Sequence, residues 1–461
     1  MNLTYDIHDR PKFGKLIVLA FQQLLAILAA TIVVPVIVGH DMSQAAALFG
    51  AGVGTIVYLL FTRFRSPVFL GSSFAFLGSM AAAFAGGVSA AKGYAGMIIG
   101  AAMAGLVYVV IAIVVKVAGV NWVDRLMPKQ VIGPTVAIIG LSLAGNAIGD
   151  LQKGNFLVEE IVDGVATGNM VPSAKVLLCV LCGLITFFVV CISSVYGKKT
   201  AKLIPFIIGI LAGYAAAAIF TVIGIKTGNT ALQIIDFSIF KDMTIFSVPK
   251  FTFMTGISGG GFKELDGAYV ASIAMAYIPV AFVVFAEHIA DHKNISSIIN
   301  RDLLKDPGLH NTLMGDGVGS MVGAFFGGCP NTTYGESIAC VAITGNASVA
   351  TILTTACMAI IISFFTPFIV FLGSIPSCVM GGVCMALYGF IAVSGLKMVQ
   401  KVDLNENKNL FVVSSILIAG IGGLSLTFGK ITITAIATAL ILGIIVNLVL
   451  QKGKTAGAKA E

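Results

Sequence analysis

With 461 residues, 57% of them hydrophobic and only 11% charged, the chain cannot cover a soluble globule of its own size, which would call for about 25% charged residues. Lipid has to cover the remainder, so the sequence reads as an all-α integral membrane protein built as one membrane domain. The formal charge of +7 comes from the loops between apolar runs, and no basic patch is interleaved with aromatics, which excludes nucleic acid as a partner.

Residues 1–15 are polar, and the apolar stretch behind them is too long for a signal core, so it is expected to stay as the first span. Runs long enough to cross a bilayer follow at 16–38, 44–62, 94–120, 130–149, 174–195 and 203–224, and again at 267–290, 309–329, 347–374, 378–396, 409–429 and 431–450. Two further stretches, 72–91 and 330–344, are shorter, rich in Gly, Ala, Ser and Thr, and open with a polar or extended piece; they read as broken spans 3 and 10. Fourteen crossings place both termini on one side. Lys and Arg agree with that count: twenty of the 28 fall on one set of alternate loops, from Arg10 through Arg65 and Arg301 to Lys459. By the positive-inside rule that set is cytoplasmic, and so are the termini. The polar loop 150–172, with Glu159, Glu160 and Asp163, falls on the opposite side as an extracellular cap.

Cys179-x-x-Cys182 lies inside a hydrophobic helix with no His or acid nearby, a weak metal or redox motif better read as small packing residues. Asn331-Thr-Thr333 fits a glycosylation sequon but sits at membrane depth. More telling, Gly71-Ser-Ser-Phe74-Ala75 and Asn331-Thr-Thr-Tyr334-Gly335 align at an offset of 260, as do the first spans of the two halves. Seven crossings per half make the second copy inverted, and paired broken segments of inverted repeats meet near the bilayer midplane to bind substrate. Ser72 to Phe76, which includes Ser73, and Asn331 to Glu336 are those segments; the bland alternative is close packing through small residues.

Two glutamates add weight to the binding reading. Glu287 lies inside the apolar stretch 278–289 and Glu336 closes Pro330-Asn-Thr-Thr-Tyr-Gly-Glu336. A carboxylate at mid-membrane costs roughly 2.5 to 3.5 kcal/mol on insertion scales, so it is kept for a ligand, an ion or a proton. Two acids with no Arg or Lys beside them suit a neutral planar solute whose ring N–H groups they accept, while backbone N–H groups at Phe74 and at Tyr334 or Gly335 donate to its carbonyl oxygens. Phe74, Tyr334 and Tyr388 offer aromatic surface. Two nearby buried carboxylates cannot both stay charged, so a shared proton is the expected coupling ion, with no other cofactor and no metal.

Ala286-Glu-His-Ile289, Arg301-Asp-Leu-Leu-Lys-Asp-Pro-Gly-Leu-His310, Pro330 to Glu336, Val379-Met-Gly-Gly382 and Leu70-Gly-Ser-Ser-Phe-Ala-Phe76 together resemble the nucleobase–ascorbate transporter family, in particular its bacterial uracil permeases. The resemblance covers nearly the whole chain. It implies a core domain (16–120 and 251–374), a gate domain (121–250 and 375–450), cytoplasmic ends at 1–15 and 451–461, and proton-coupled nucleobase import, most simply of uracil, across the bacterial cytoplasmic membrane. It also implies a homodimer. Carried onto this sequence, it makes Glu287 and Glu336 the substrate carboxylates, assigns Phe74, Tyr334 and Gly335 to backbone donation and contact, and lines the site with Ala30 and Tyr388.

Two positions depart from that pattern. Asp291 stands where the uracil permease pattern has His, four residues after Glu287 and on the same helix face. It either takes the proton-linked role or is a solvated acid at the cytoplasmic helix end, while His292 is expected at the interface and His288 is ambiguous. After Glu336, Ser337 and Ala339 replace the usual Asn and Gly, which keeps a xanthine or other purine permease open as an alternative. An anion transporter of related fold would want a cation or an uncompensated helix N-terminus at the site. An intramembrane enzyme would need a catalytic pairing, and no Ser/His pair, metal cluster or aspartyl-protease motif is present.

Overall fold

The computed structural model describes residues 3–119, 121–153, 157–162, 165–198, 200–241, 243–428 and 431–457. Among them, eight helices are long and apolar enough to cross a membrane: Phe13–Val38, Gln44–Phe61, Ala90–Ala118, Lys129–Leu151, Ala174–Tyr196, Pro205–Thr227, Gly267–Ile299 and Ser377–Val399. Shorter apolar helices run over Gly335–Thr344, Val349–Ile362, Asn407–Ile421 and Ala435–Leu450. Large apolar side chains such as Phe13, Val117 and Ile418 face outward, as a lipid-covered surface requires.

The chain divides into two compact units. The first takes Met1–Ser142, Val248–Phe364 and Phe390–Glu461; the second takes Leu143–Ser247 and Phe365–Gly389. In the first, helix Leu309–Gly327 packs between Gln44–Phe61 and Ala90–Ala118, and Ala90–Ala118 also packs on Gly267–Ile299. Glycine makes this closeness possible: a Cβ on Gly50 would stand 2.5 Å from the Gly323 carbonyl oxygen, and one on Gly105 2.6 Å from that of Gly317. In the second unit, Ala174–Tyr196 packs on Pro205–Thr227 along the small faces of Gly209 and Gly213.

Three segments differ from the sequence reading. Loop 150–172 contains an antiparallel strand pair, Leu157–Val162 with Val165–Pro172, irregular between Glu159 and Ile161; Asp163 lies outside the described residues. The run at 409–429 ends as a helix at Ile421, where Gly422 and Gly423 follow and Gly423 takes φ +72°, and Leu426–Phe428 then pairs with Ile431–Ile433. Alternating Ile and Thr favour that extended form. The run at 347–374 is two helices, Val349–Ile362 and Thr366–Gly373, because Pro367 fits the first turn of the second but not the interior of one long helix.

Candidate functional site

The two broken segments meet in the first unit. Leu70–Ser72 and Asn331–Thr333 form an antiparallel pair with Leu70 opposite Thr333, Gly71 opposite Thr332 and Ser72 opposite Asn331. The pairing extends one residue each way, with the Ser73 N–H donating to the Pro330 carbonyl at 2.9 Å and the Tyr334 N–H to the Phe69 carbonyl at 3.2 Å. Inside a membrane such backbone is tolerated only where protein satisfies it, and side chains do so here. Thr55 bonds both the N–H and the carbonyl of Leu70, at 2.9 and 3.1 Å. Ser337 Oγ accepts from the Phe69 N–H at 3.2 Å and from Gln23 Nε2 at 2.7 Å. Asn331 Nδ2 donates to the Gly50 carbonyl at 3.0 Å, in a slot that Gly54 and Gly323 leave open.

Three acids gather at this crossing. Glu287 and Asp291 share a face of helix Gly267–Ile299, and Glu336 stands in the first turn of helix Gly335–Thr344. All three are half-buried. Thr333 Oγ1 donates to Asp291 Oδ2 at 2.7 Å, tying the long helix to the extended strand. Among the described residues, the charged neighbours of Glu287 are the carboxylates of Asp291, Glu336 and Asp316. Among the described residues, the Lys and Arg ion pairs of the first unit lie away from these acids: Arg65 with Asp306, Arg301 with Asp6, Lys92 with Asp266 and Lys305 with Asp302. Gly335 is exposed at the start of its helix, where Tyr334 supplies no side-chain cap and the first-turn N–H groups have no intrahelical acceptor. The Ser73 hydroxyl is buried with no hydrogen-bond partner among the described residues.

Of the residues singled out from sequence, Glu287, Glu336, Asp291, Gly335 and Ser73 thus come together around one crossing, with Phe74 buried beside it. Ala30 is buried in helix Phe13–Val38, which packs on both Leu70–Ser72 and Gly335–Thr344. Tyr388 lies in the second unit, on helix Ser377–Val399. The structure corrects three details. The Tyr334 N–H is used by Phe69, and its hydroxyl donates to the Ser72 carbonyl at 2.8 Å, so its ring closes over Gly71 and holds the crossing shut. Asp291 is not a solvated acid at a helix end, because the helix runs on to Ile299 and Thr333 binds it. His292 is not interfacial: it is fully buried, as is His288.

The sequence reading missed Asp316, which is buried and 2.6 Å from His288 Nδ1. The cost argument that exposes Glu287 applies equally to an Asp at the centre of Leu309–Gly327 and would have found it.

Apolar helices around a protein-lined break, with acids gathered at the break, are the arrangement of a membrane transporter. The comparisons narrow the class. The model of a permease family matches residues 14–429, and the chain belongs to that family. It is similar to the uracil permease of Bacillus caldolyticus, 38% identical over 96% of this chain and 94% of the relative. The uracil permease of Bacillus subtilis (strain 168) is 34% identical over 98% and 96%, and that of Escherichia coli (strain K12) 32% over 96% and 93%. Among solved structures, the transmembrane domain of a cyanobacterium bicarbonate transporter BicA shares the fold, with TM-score 0.63 at 16% identity over 97% of this chain and all of that one. SLC26A9 does so with TM-score 0.60 at 9% identity, over 96% of this chain and 66% of that one.

Proposed function

We propose that the chain imports uracil with a proton across the bacterial cytoplasmic membrane, its termini in the cytoplasm. The observation that carries this reading is the gathering of Glu287, Asp291 and Glu336 at the crossing, where Thr333 ties Asp291 to the strand that leads into Glu336. The uracil permeases among its relatives point to the same substrate. Glu287 and Glu336 accept from the ring N–H groups of the base, and the Gly335 and Phe74 N–H groups and the Ser73 hydroxyl are the donors for its carbonyl oxygens. Phe74 and Ala30 supply apolar wall. Asp291, held by Thr333, shares the coupling proton with Glu287, since carboxylates gathered this closely titrate as one group with a proton among them. Fourteen segments in two inverted repeats, with core 16–120 and 251–374 and gate 121–250 and 375–450, belong to the same proposal.

The test is thermal stabilisation of the detergent-purified protein by uracil, thymine, xanthine, hypoxanthine, urate and sulfate at two pH values. A ligand at a hundred times its Kd stabilises by about 2.7 kcal/mol. Uracil is expected to raise the Tm, and more so at the lower pH, because binding that takes up a proton tightens as pH falls. A shift with xanthine instead moves the substrate and keeps the mechanism. A response to sulfate alone overturns the nucleobase reading.

A further inference from the structure

We infer that His288 and His292 are positioning residues that fix the rotation of helix Gly267–Ile299 and thereby aim Glu287 and Asp291 at the crossing; the inference rests on the substrate site proposed above. Acids at 287 and 291 and histidines at 288 and 292 make two i, i+4 pairs on faces about 100° apart, so whatever holds one face sets the direction of the other. The two histidines are fully buried and their rings stack, centroids 3.9 Å apart at 24°.

Each histidine is held at both ring nitrogens. His288 Nε2 lies 3.0 Å from Thr312 Oγ1, whose O–H already donates to the Leu309 carbonyl, so the hydroxyl accepts from Nε2–H. His288 Nδ1, 2.6 Å from Asp316 Oδ2, then shares a single proton with that carboxylate. His292 Nδ1–H donates to the His288 carbonyl at 2.8 Å, because a carbonyl only accepts. Its Nε2 meets the Tyr58 hydroxyl at 2.7 Å, and that hydroxyl meets Ser66 Oγ at 2.7 Å. The anchors therefore come from two other elements, helix Leu309–Gly327 and helix Gln44–Phe61 with the turn that follows it. Turning the site helix would strip partners from several buried polar atoms at once, which a dry interior does not tolerate. A purely adhesive contact here would be made at lower cost by apolar side chains. What the polar anchors add is a defined azimuth.

The test compares stability with uracil affinity in purified full-length protein and uracil KM in cells, at matched membrane levels. The paired variant His288→Leu with Asp316→Leu removes both partners of the buried bond, so neither is left orphaned. It is expected to fold with near wild-type stability and to bind uracil on the order of tenfold more weakly, as misaimed binding groups do. His288→Asn, which keeps a nitrogen beside Asp316, is expected to recover part of the affinity that His288→Leu alone loses. Tyr58→Phe, one hydroxyl smaller, is expected to raise KM by a lesser factor. Wild-type affinity in a folded paired variant overturns the inference. Should that variant fail to fold, a Tyr58→Phe protein of reduced stability but unchanged affinity overturns it as well. A wild-type protein that ignores uracil but binds another base counts against the proposed substrate instead, and the same variants are then compared with that base.

Discussion

Thr333 carries the contact that joins the two halves of the site, because its hydroxyl is the donor to Asp291 from the strand that leads into Glu336. A hydrogen bond to a charged group contributes about 1.5 to 3 kcal/mol. Thr333→Val, which keeps the shape and deletes the donor, is therefore expected to lower uracil uptake by roughly tenfold to a hundredfold, whereas Thr333→Ser should stay near wild type. Uptake at equal membrane levels decides it, and a normal Val variant would detach Asp291 from the mechanism. Glu287→Gln and Glu336→Gln keep the side-chain volume but replace the acceptor and proton-binding oxygen, so each should abolish uptake while the protein still reaches the membrane. Normal transport by either would sink its assignment. These acids were legible in the sequence because a carboxylate among apolar residues has no cheap bland explanation. The bonds of Ser337 and Gln23 were not, because their partners lie 268 and 314 residues away.

Strands of three residues are too short to hold themselves in a bilayer, and the crossing persists because helices are cut away to receive it. Gly54 and Gly323 leave the slot for the Asn331 amide, and Gly71 lies flat under the Tyr334 ring. A Cβ at Gly54 would also stand 2.8 Å from the Gly319 carbonyl oxygen, a backbone atom that cannot swing aside. Gly54→Ala is thus expected to cost about 1 to 3 kcal/mol, as overpacking does, and to lower the Tm measurably. Gly14→Ala, with nothing within 4 Å of the added Cβ, is the control and should not lower it. Equal Tm values for the two variants would mean that the helices do not approach as closely as described. The long helices were legible from apolar runs alone, and the crossing from the 260-residue repeat, since Gly-Ser-Ser and Asn-Thr-Thr suit extended backbone. The pairing of Leu426–Phe428 with Ile431–Ile433 was not, because a short apolar stretch of β-branched residues satisfies helix and strand patterns alike.

Taken as a whole, the chain carries charge at both ends of one long element, and the proposed orientation can be tested there. Helix Gly267–Ile299 has 33 residues and so extends roughly 50 Å, enough to cross a bilayer with turns to spare. Asp266 caps its start and pairs with Lys92, while beyond its end Arg301 pairs with Asp6 of the N-terminal segment. That segment is fastened again by the Ala347 N–H on the Tyr5 carbonyl and the Val349 N–H on the Ile7 carbonyl, so the N-terminus and the turn after the Glu336 helix share one side. Loops carrying twenty of the 28 Lys and Arg fall in the same set as Arg301, which the proposed orientation, following the positive-inside rule, puts in the cytoplasm. A single-cysteine pair in a background free of the eight native cysteines tests this. Lys263 and Lys305 are both exposed, one at each end of the helix. A membrane-impermeant maleimide added to intact cells should label Lys263→Cys, and should label Lys305→Cys only after the membrane is opened. The reverse pattern would invert the protein and turn the proposed proton-driven import around; labelling of both in intact cells would mean that the helix between them does not cross the membrane.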